Sequence, residues 1–157
     1  MKGGTSSEEA LKCAFRFLGY RARSEEEVWV KLAQMGFSEK SIKAALERLR
    51  VLNILNDEDF ARGWALGSAK GREYGPLRIE KELRQKGISR SLIRPILEEA
   101  FAEQGEKERA RRLLGKKFKG KDLSDRKVVG RAIASLQRFG YRNTVIAELL
   151  GQPLEDD

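Results

Sequence analysis

Histidine is absent from these 157 residues, and cysteine occurs once, at Cys13. Those two gaps remove a good deal of chemistry. A Ser-His-Asp or Cys-His nucleophile system cannot be assembled within the chain. A zinc site of the usual His/Cys type lacks ligands, because one thiolate is too few. No intrachain disulfide can form, which fits a reducing, cytoplasmic setting. Proline is sparse too, at Pro76, Pro95 and Pro153. No apolar run approaches the roughly 18 residues of a membrane-spanning helix, and residues 1–9 lack the basic and apolar regions of a signal peptide. There is no Walker-type glycine-lysine motif and no dinucleotide glycine fingerprint. The expectation is a protein that is not an enzyme, with no cofactor, no metal and no membrane partner.

What the chain does have is charge. Charged residues make up 36% and hydrophobic ones 40%, with 32 basic against 24 acidic groups and a formal net charge of +8. Strand-like alternation is scarce. Apolar residues recur instead at three- and four-residue spacing, as in Leu11, Ala14, Phe15 and Leu18, or Ile42, Ala45, Leu46 and Leu49. That is the pattern of amphipathic helices. Ser24 followed by Glu27 has capping-box spacing, and Gly75-Pro76 places proline in a first helical turn. Ser38, Asp57, Ser89 and Asp122 are further cap candidates.

Three glycines organise the rest. Gly36, Gly87 and Gly140 each follow an apolar run and are 51 and 53 residues apart. Four residues before them stand Leu32, Leu83 and Leu136, and eight before stand Val28, Ile79 and Ala132. One after come Phe37, Ile88 and Tyr141; six after come Ile42, Ile93 and Ile146; ten after come Leu46, Leu97 and Leu150. Helical periodicity alone explains the leucines, but not a glycine and its apolar plug at one register three times. An apolar segment precedes each pair of helices. The fold class expected is therefore all-α, with three tandem three-helix repeats in an elongated, curved array. The segments are a flexible start at 1–9, repeats at 10–56, 57–105 and 106–151, and an acidic tail at 152–157.

The charge is unevenly spread. Residues 109–131 hold ten basic groups against Asp122 and Asp125, and residues 70–94 hold eight against three acidic ones. Arg78, Lys81 and Arg84 drift along one helical face, with Arg72 and Tyr74 in the loop before it and Lys86 after it. Lys116, Lys117, Lys119 and Lys121 form a denser run. Such surfaces follow a phosphate backbone without reading its bases. The competing reading is a solvated face with intrahelical pairs such as Glu80 with Arg84 and Glu82 with Lys86. Trp29, Trp64 and Cys13 read as core residues. Asp57, Glu58 and Asp59 read as a helix start rather than a Mg²⁺ site.

Several stretches resemble the RecX family. Arg21-Ala22-Arg23-Ser24-Glu25, with Leu32 and Gly36-Phe37, is similar to its first signature. Asn56-Asp57 with Phe60-Ala61 is similar to the second. Tyr74-Gly75-Pro76, Ile79, Glu82-Leu83 and Lys86-Gly87-Ile88 are similar to the third and most specific. The resemblance runs over residues 11–150, and the third repeat departs most, with no matching Gly-Pro. It implies tandem three-helix repeats and a non-enzymatic regulator of the RecA recombinase. Such a regulator binds the RecA–single-stranded DNA filament and suppresses its ATPase and strand exchange. On that reading the partners are the RecA filament and single-stranded DNA, with duplex DNA as a further ligand; a monomer is expected separately, because no long uncapped apolar stripe remains once three cores are assigned. The contacts to DNA or filament are expected from Arg72, Tyr74, Arg78, Lys81, Arg84 and Lys86, extended by Lys116, Lys117, Lys119 and Lys121. Two other readings stand beside it. One is a plain DNA-binding protein or transcription regulator built on helix-turn-helix-like units. The other is a carboxylate-dependent nuclease using Asp57 and Asp59.

Overall fold

The computed structural model describes residues 6–151 and Leu154. Residues 1–5 and most of the expected acidic tail lie outside the described residues. Nine helices and no strand occur among those described: α1 (Ser7–Leu18), α2 (Glu25–Gln34), α3 (Glu39–Val51), α4 (Asp57–Gly71), α5 (Pro76–Gln85), α6 (Arg90–Ala100), α7 (Glu106–Lys117), α8 (Arg126–Phe139) and α9 (Asn143–Leu150). None of the described helices is long and apolar enough to cross a membrane. Ser6 caps α1 through its hydroxyl, so residues 7–9 form its first turn within the stretch expected to be flexible.

The glycine register translates into helix ends. Gly36, Gly87 and Gly140 sit at φ 91°, 80° and 96°, the left-handed region that only glycine adopts cheaply. At two of them the full double bond of a Schellman turn is present. The Phe37 N–H donates to Leu32 O at 3.2 Å and Gly36 N–H to Ala33 O at 3.0 Å; Tyr141 N–H donates to Leu136 O at 3.1 Å and Gly140 N–H to Gln137 O at 3.0 Å. The residues eight and four before each glycine, and one and six after it, are buried in all three groups. Leu97 and Leu150, ten after the second and third glycines, are only half-buried, whereas Leu46 is buried.

The chain packs as two compact units, one of Met1–Ala61 with Arg84–Leu92 and the other of Arg62–Leu83 with Ile93–Asp157. In the first, Ala10 and Ala14 are fully buried with Val28, Leu32, Phe37, Ile42, Leu46 and Leu49. Small residues on α1 let it lie close to α3, while each large aliphatic side chain so buried contributes about 1.5–3 kcal/mol. Cys13 and Trp29 are half-buried against this core, as a structural reading requires. The expected capping box is present at α2: Ser24 Oγ accepts from Glu27 N–H at 3.2 Å, and Glu27 Oε1 accepts from Ser24 N–H at 3.3 Å.

Ser38 caps α3 as expected, but two other cap assignments are corrected. Asn56, not Asp57, accepts the Asp59 N–H at the start of α4. Asp57 instead accepts the first N–H of α2, that of Glu25, at 2.8 Å. Burial pushes the Asp57 carboxyl above its usual range, and the neighbouring Glu25 adds to this against the backbone hydrogen bond. Asp125, not Asp122, caps α8, while Asp122 folds back on the Ser124 N–H and hydroxyl. Pro95 lies inside α6, where it removes one helical donor.

The core of the second unit contains Ala110, Leu113 and Leu114 of α7, Ala132 and Leu136 of α8, Tyr141 and Ile146. Leu154 packs against it. Two charges are drawn inside as well. Arg109, the first residue of the basic stretch 109–131, keeps 7% of its surface and Glu106 keeps 8%.

Candidate nucleic-acid interface

Within the second unit the loop between α4 and α5 is held from three sides. Glu73 adopts φ 61°, an unfavourable region for a side chain of its size. Its carboxylate takes Lys116 Nζ at 2.6 Å, and its carbonyl accepts the Tyr141 hydroxyl at 2.7 Å. Burial, then the charge of Glu73, raises the Tyr141 phenol well above its usual range, so it stays a donor. Gly75 N–H donates to Phe139 O at 2.7 Å and Leu77 N–H to Gly140 O at 2.9 Å. The last carbonyls of α8 thus satisfy the first donors of α5, which suits the partial charges of both helix ends.

This close approach needs glycine. A Cβ on Gly75 would lie 2.6 Å from the carbonyl carbon and oxygen of Gly140. Both atoms are backbone, so no side chain can yield. Gly75→Ala is expected to cost about 2–4 kcal/mol through overlap and lost backbone pairing. Thermal unfolding followed by circular dichroism checks this, and a loss below about 1 kcal/mol would show that the loop relaxes around the added methyl.

The loop presents a row of alternating cations and rings. The Arg72 guanidinium lies 5.6 Å from the Trp64 ring centre and 6.0 Å from that of Tyr74. Arg78 stacks on the Tyr74 ring at 3.7 Å. Tyr74 meets Phe139 edge-on at 5.8 Å, and Lys117 Nζ lies 4.2 Å over the Phe139 ring. Glu82 holds the row from below: it accepts from the Trp64 indole N–H at 3.1 Å and from Arg78 Nε at 3.2 Å. Arg78 also donates to Arg138 O at 3.3 Å. Trp64, Tyr74, Arg78 and Phe139 are all half-buried, so the row is fixed by packing and yet reaches the surface.

Five of the sequence-predicted residues are therefore brought together here: Arg72, Tyr74, Arg78, Lys116 and Lys117. Lys81 is exposed on α5, and Lys119 and Lys121 are exposed after α7. Arg84 and Lys86 belong to the first unit. There Arg84 is exposed, while Lys86 is half-buried, 3.6 Å from Glu27 and 5.9 Å over the Phe60 ring. Glu82, which helical spacing offers to Lys86, is held by Arg78 and Trp64. Trp64 and Phe139 were not among the expected contacts. Their place in the row follows from pairing across elements, which spacing along one helix does not reveal.

The description "RecX, first three-helix domain" matches residues 10–49, and "RecX, second three-helix domain" matches residues 56–95. The regulatory protein RecX of Trichlorobacter lovleyi is 30% identical over 151 residues, which is 95% of this chain and 98% of that protein. The chain belongs to the RecX family. The regulatory protein RecX of Mycolicibacterium vanbaalenii is also 30% identical, over 96% of this chain and 85% of its own length. The RecX of Prosthecochloris aestuarii is 36% identical across 60% of this chain and 63% of that protein. In fold, the chain is similar to the crystal structure of RecX from Lactobacillus salivarius, with a TM-score of 0.72 at 21% identity over 92% of this chain and 94% of that one. The all-α, three-helix-repeat reading of the sequence agrees with these RecX relatives, and the family is one of regulatory proteins. Trp64, Arg72, Tyr74, Arg78 and Glu82 fall within the second RecX domain match. Lys117 and Phe139 come from the third group of helices.

Proposed function

We propose that this RecX-family protein binds the RecA–single-stranded DNA filament and lowers its ATPase and strand exchange, with no catalysis of its own. It works as a cytoplasmic monomer of three repeats, 10–56, 57–105 and 106–151, without cofactor. The observation that supports this most is the fixed row of Trp64, Arg72, Tyr74, Arg78, Phe139 and Lys117. Cations beside aromatic faces suit a single strand, whose backbone is anionic and whose unpaired bases can stack. Lys81, Arg84, Lys86, Lys116, Lys119 and Lys121 add contacts to DNA or to acidic recombinase surface.

The test is the ATPase rate of the cognate RecA on single-stranded DNA as the protein is titrated from well below stoichiometric. Inhibition at low ratio is the expected result. Inhibition only near saturation of the strand would reduce the mechanism to competition for DNA. An unchanged rate with folded, helical protein would overturn the reading.

A further inference from the structure

The first unit holds a feature that the row above does not use, in the stretch Arg21-Ala22-Arg23-Ser24. Arg23 lies on the Phe17 ring at 4.1 Å, with 16% of its side chain exposed. Its nearest anion is Glu27, at 3.6 Å, beyond hydrogen-bond distance. Its Nε is buried and has no hydrogen-bond partner, the sole such buried side-chain atom among the described residues. Leaving a buried donor unpaired costs about 1–3 kcal/mol, so a retained one calls for an explanation.

Arg109 in the second unit shows what a purely structural arginine looks like. Its guanidinium donates to Gln104 O at 2.9 Å, Ala69 O at 3.1 Å and Ala100 O at 3.4 Å. Arg23 is also largely buried, but its guanidinium closes no such set of bonds.

The Glu27 carboxylate beside Arg23 is shared among several cations. Glu27 is shared by Arg21 at 2.8 Å, Arg23 at 3.6 Å and Lys86 at 3.6 Å. Lys31 lies 5.8 Å over the same Phe17 ring. Of the other acids nearby, Glu25 pairs with Arg50 and Glu26 lies against Gly87. Glu27 is thus divided among three cations and gives Arg23 no hydrogen bond of its own. Arg23 and Lys31 both lie over the Phe17 ring.

We infer that Arg23, flanked by Arg21, is a phosphodiester-contacting residue, giving the first unit a nucleic-acid backbone contact of its own. This rests on the proposed strand binding of the second unit and adds a locus to it. Because the contact is to phosphate, single strands and duplexes are expected to engage it alike.

The measurement is fluorescence anisotropy of labelled oligonucleotides, single-stranded and duplex, across a salt series, using the full chain. Arg23→Gln should lower the slope of log affinity against log salt by about 0.7 on single strands and about 0.9 on duplex, and weaken single-strand binding about fivefold near 0.1 M salt. Arg23→Lys should keep the slope and lose part of the affinity, since an ammonium lacks the bidentate fork. Tyr74→Ala reports on the other locus, by losing affinity at constant slope. An unchanged slope in folded Arg23→Gln overturns this inference and leaves the second-unit reading standing. Should Arg23→Gln fail to fold, full affinity in Arg23→Lys overturns it equally. Absence of DNA binding by the unaltered protein would overturn both.

Discussion

Arg109→Met is expected to lower the unfolding free energy by about 3–5 kcal/mol, a large share of a small protein's stability. The methionine fills much the same space, so the loss comes from polar groups. Ala69 O and Ala100 O belong to buried residues, and the guanidinium supplies their donors together with that of Gln104 O. Each carbonyl left unpaired costs about 1–3 kcal/mol. Arg109 also lies 5.4 Å from the Phe101 ring, which the cation helps to cover. Arg109→Lys keeps the charge but lacks the fork, so it is expected to recover only part of the loss. Urea unfolding followed by circular dichroism gives the comparison. A loss below about 1 kcal/mol in the methionine variant would show that water reaches these carbonyls, and that the arginine is not what ties the ends of α4 and α6 to α7.

Tyr74→Ala is expected to weaken single-stranded DNA binding about 5- to 150-fold, the equivalent of about 1–3 kcal/mol for one lost base–aromatic stack. Tyr74 is central because it meets Arg72, Arg78 and Phe139 at once. Its removal therefore loosens the row as well as deleting a ring. Tyr74→Phe separates the two effects: it keeps the ring and both cation contacts, and affinity should stay within about twofold, since stacking does not depend on the hydroxyl. The titration midpoint for RecA ATPase inhibition should move in the same order as single-strand affinity. Equal inhibition by Tyr74→Ala and the unaltered protein would detach this surface from the regulatory activity.

Much of the architecture is legible along the chain because it obeys local rules. A glycine at positive φ, a leucine four before it and an apolar plug one after it are the chemical needs of a helix end that must satisfy its own carbonyls. Those needs recur wherever the motif recurs, so Gly36, Gly87 and Gly140 mark three helix pairs. The capping box at Ser24 and Glu27 is equally local, and so is Pro76 in the first turn of α5. Asp57 and Asp122 show the limit of this reasoning. Each has the right type near a helix start, yet one bonds to another helix and the other to a neighbouring serine.

The candidate site divides in the same way. Composition and charge single out Arg72, Tyr74, Arg78, Lys116 and Lys117 as basic or aromatic groups near one another in sequence or in type. Only packing shows that Lys116 holds the strained Glu73, or that Lys117 and Arg72 share one row with Trp64 and Phe139. Arg109 opens a basic stretch and Glu106 stands just before it, yet both are buried. Arg109 bonds three carbonyls, and Glu106 accepts from the backbone and side chain of Arg142. Sequence patterns report what a residue needs from its own helix, because those partners sit three or four positions away. They are silent on which cations are neutralised inside and which face a ligand, because those partners are brought close only when distant helices pack.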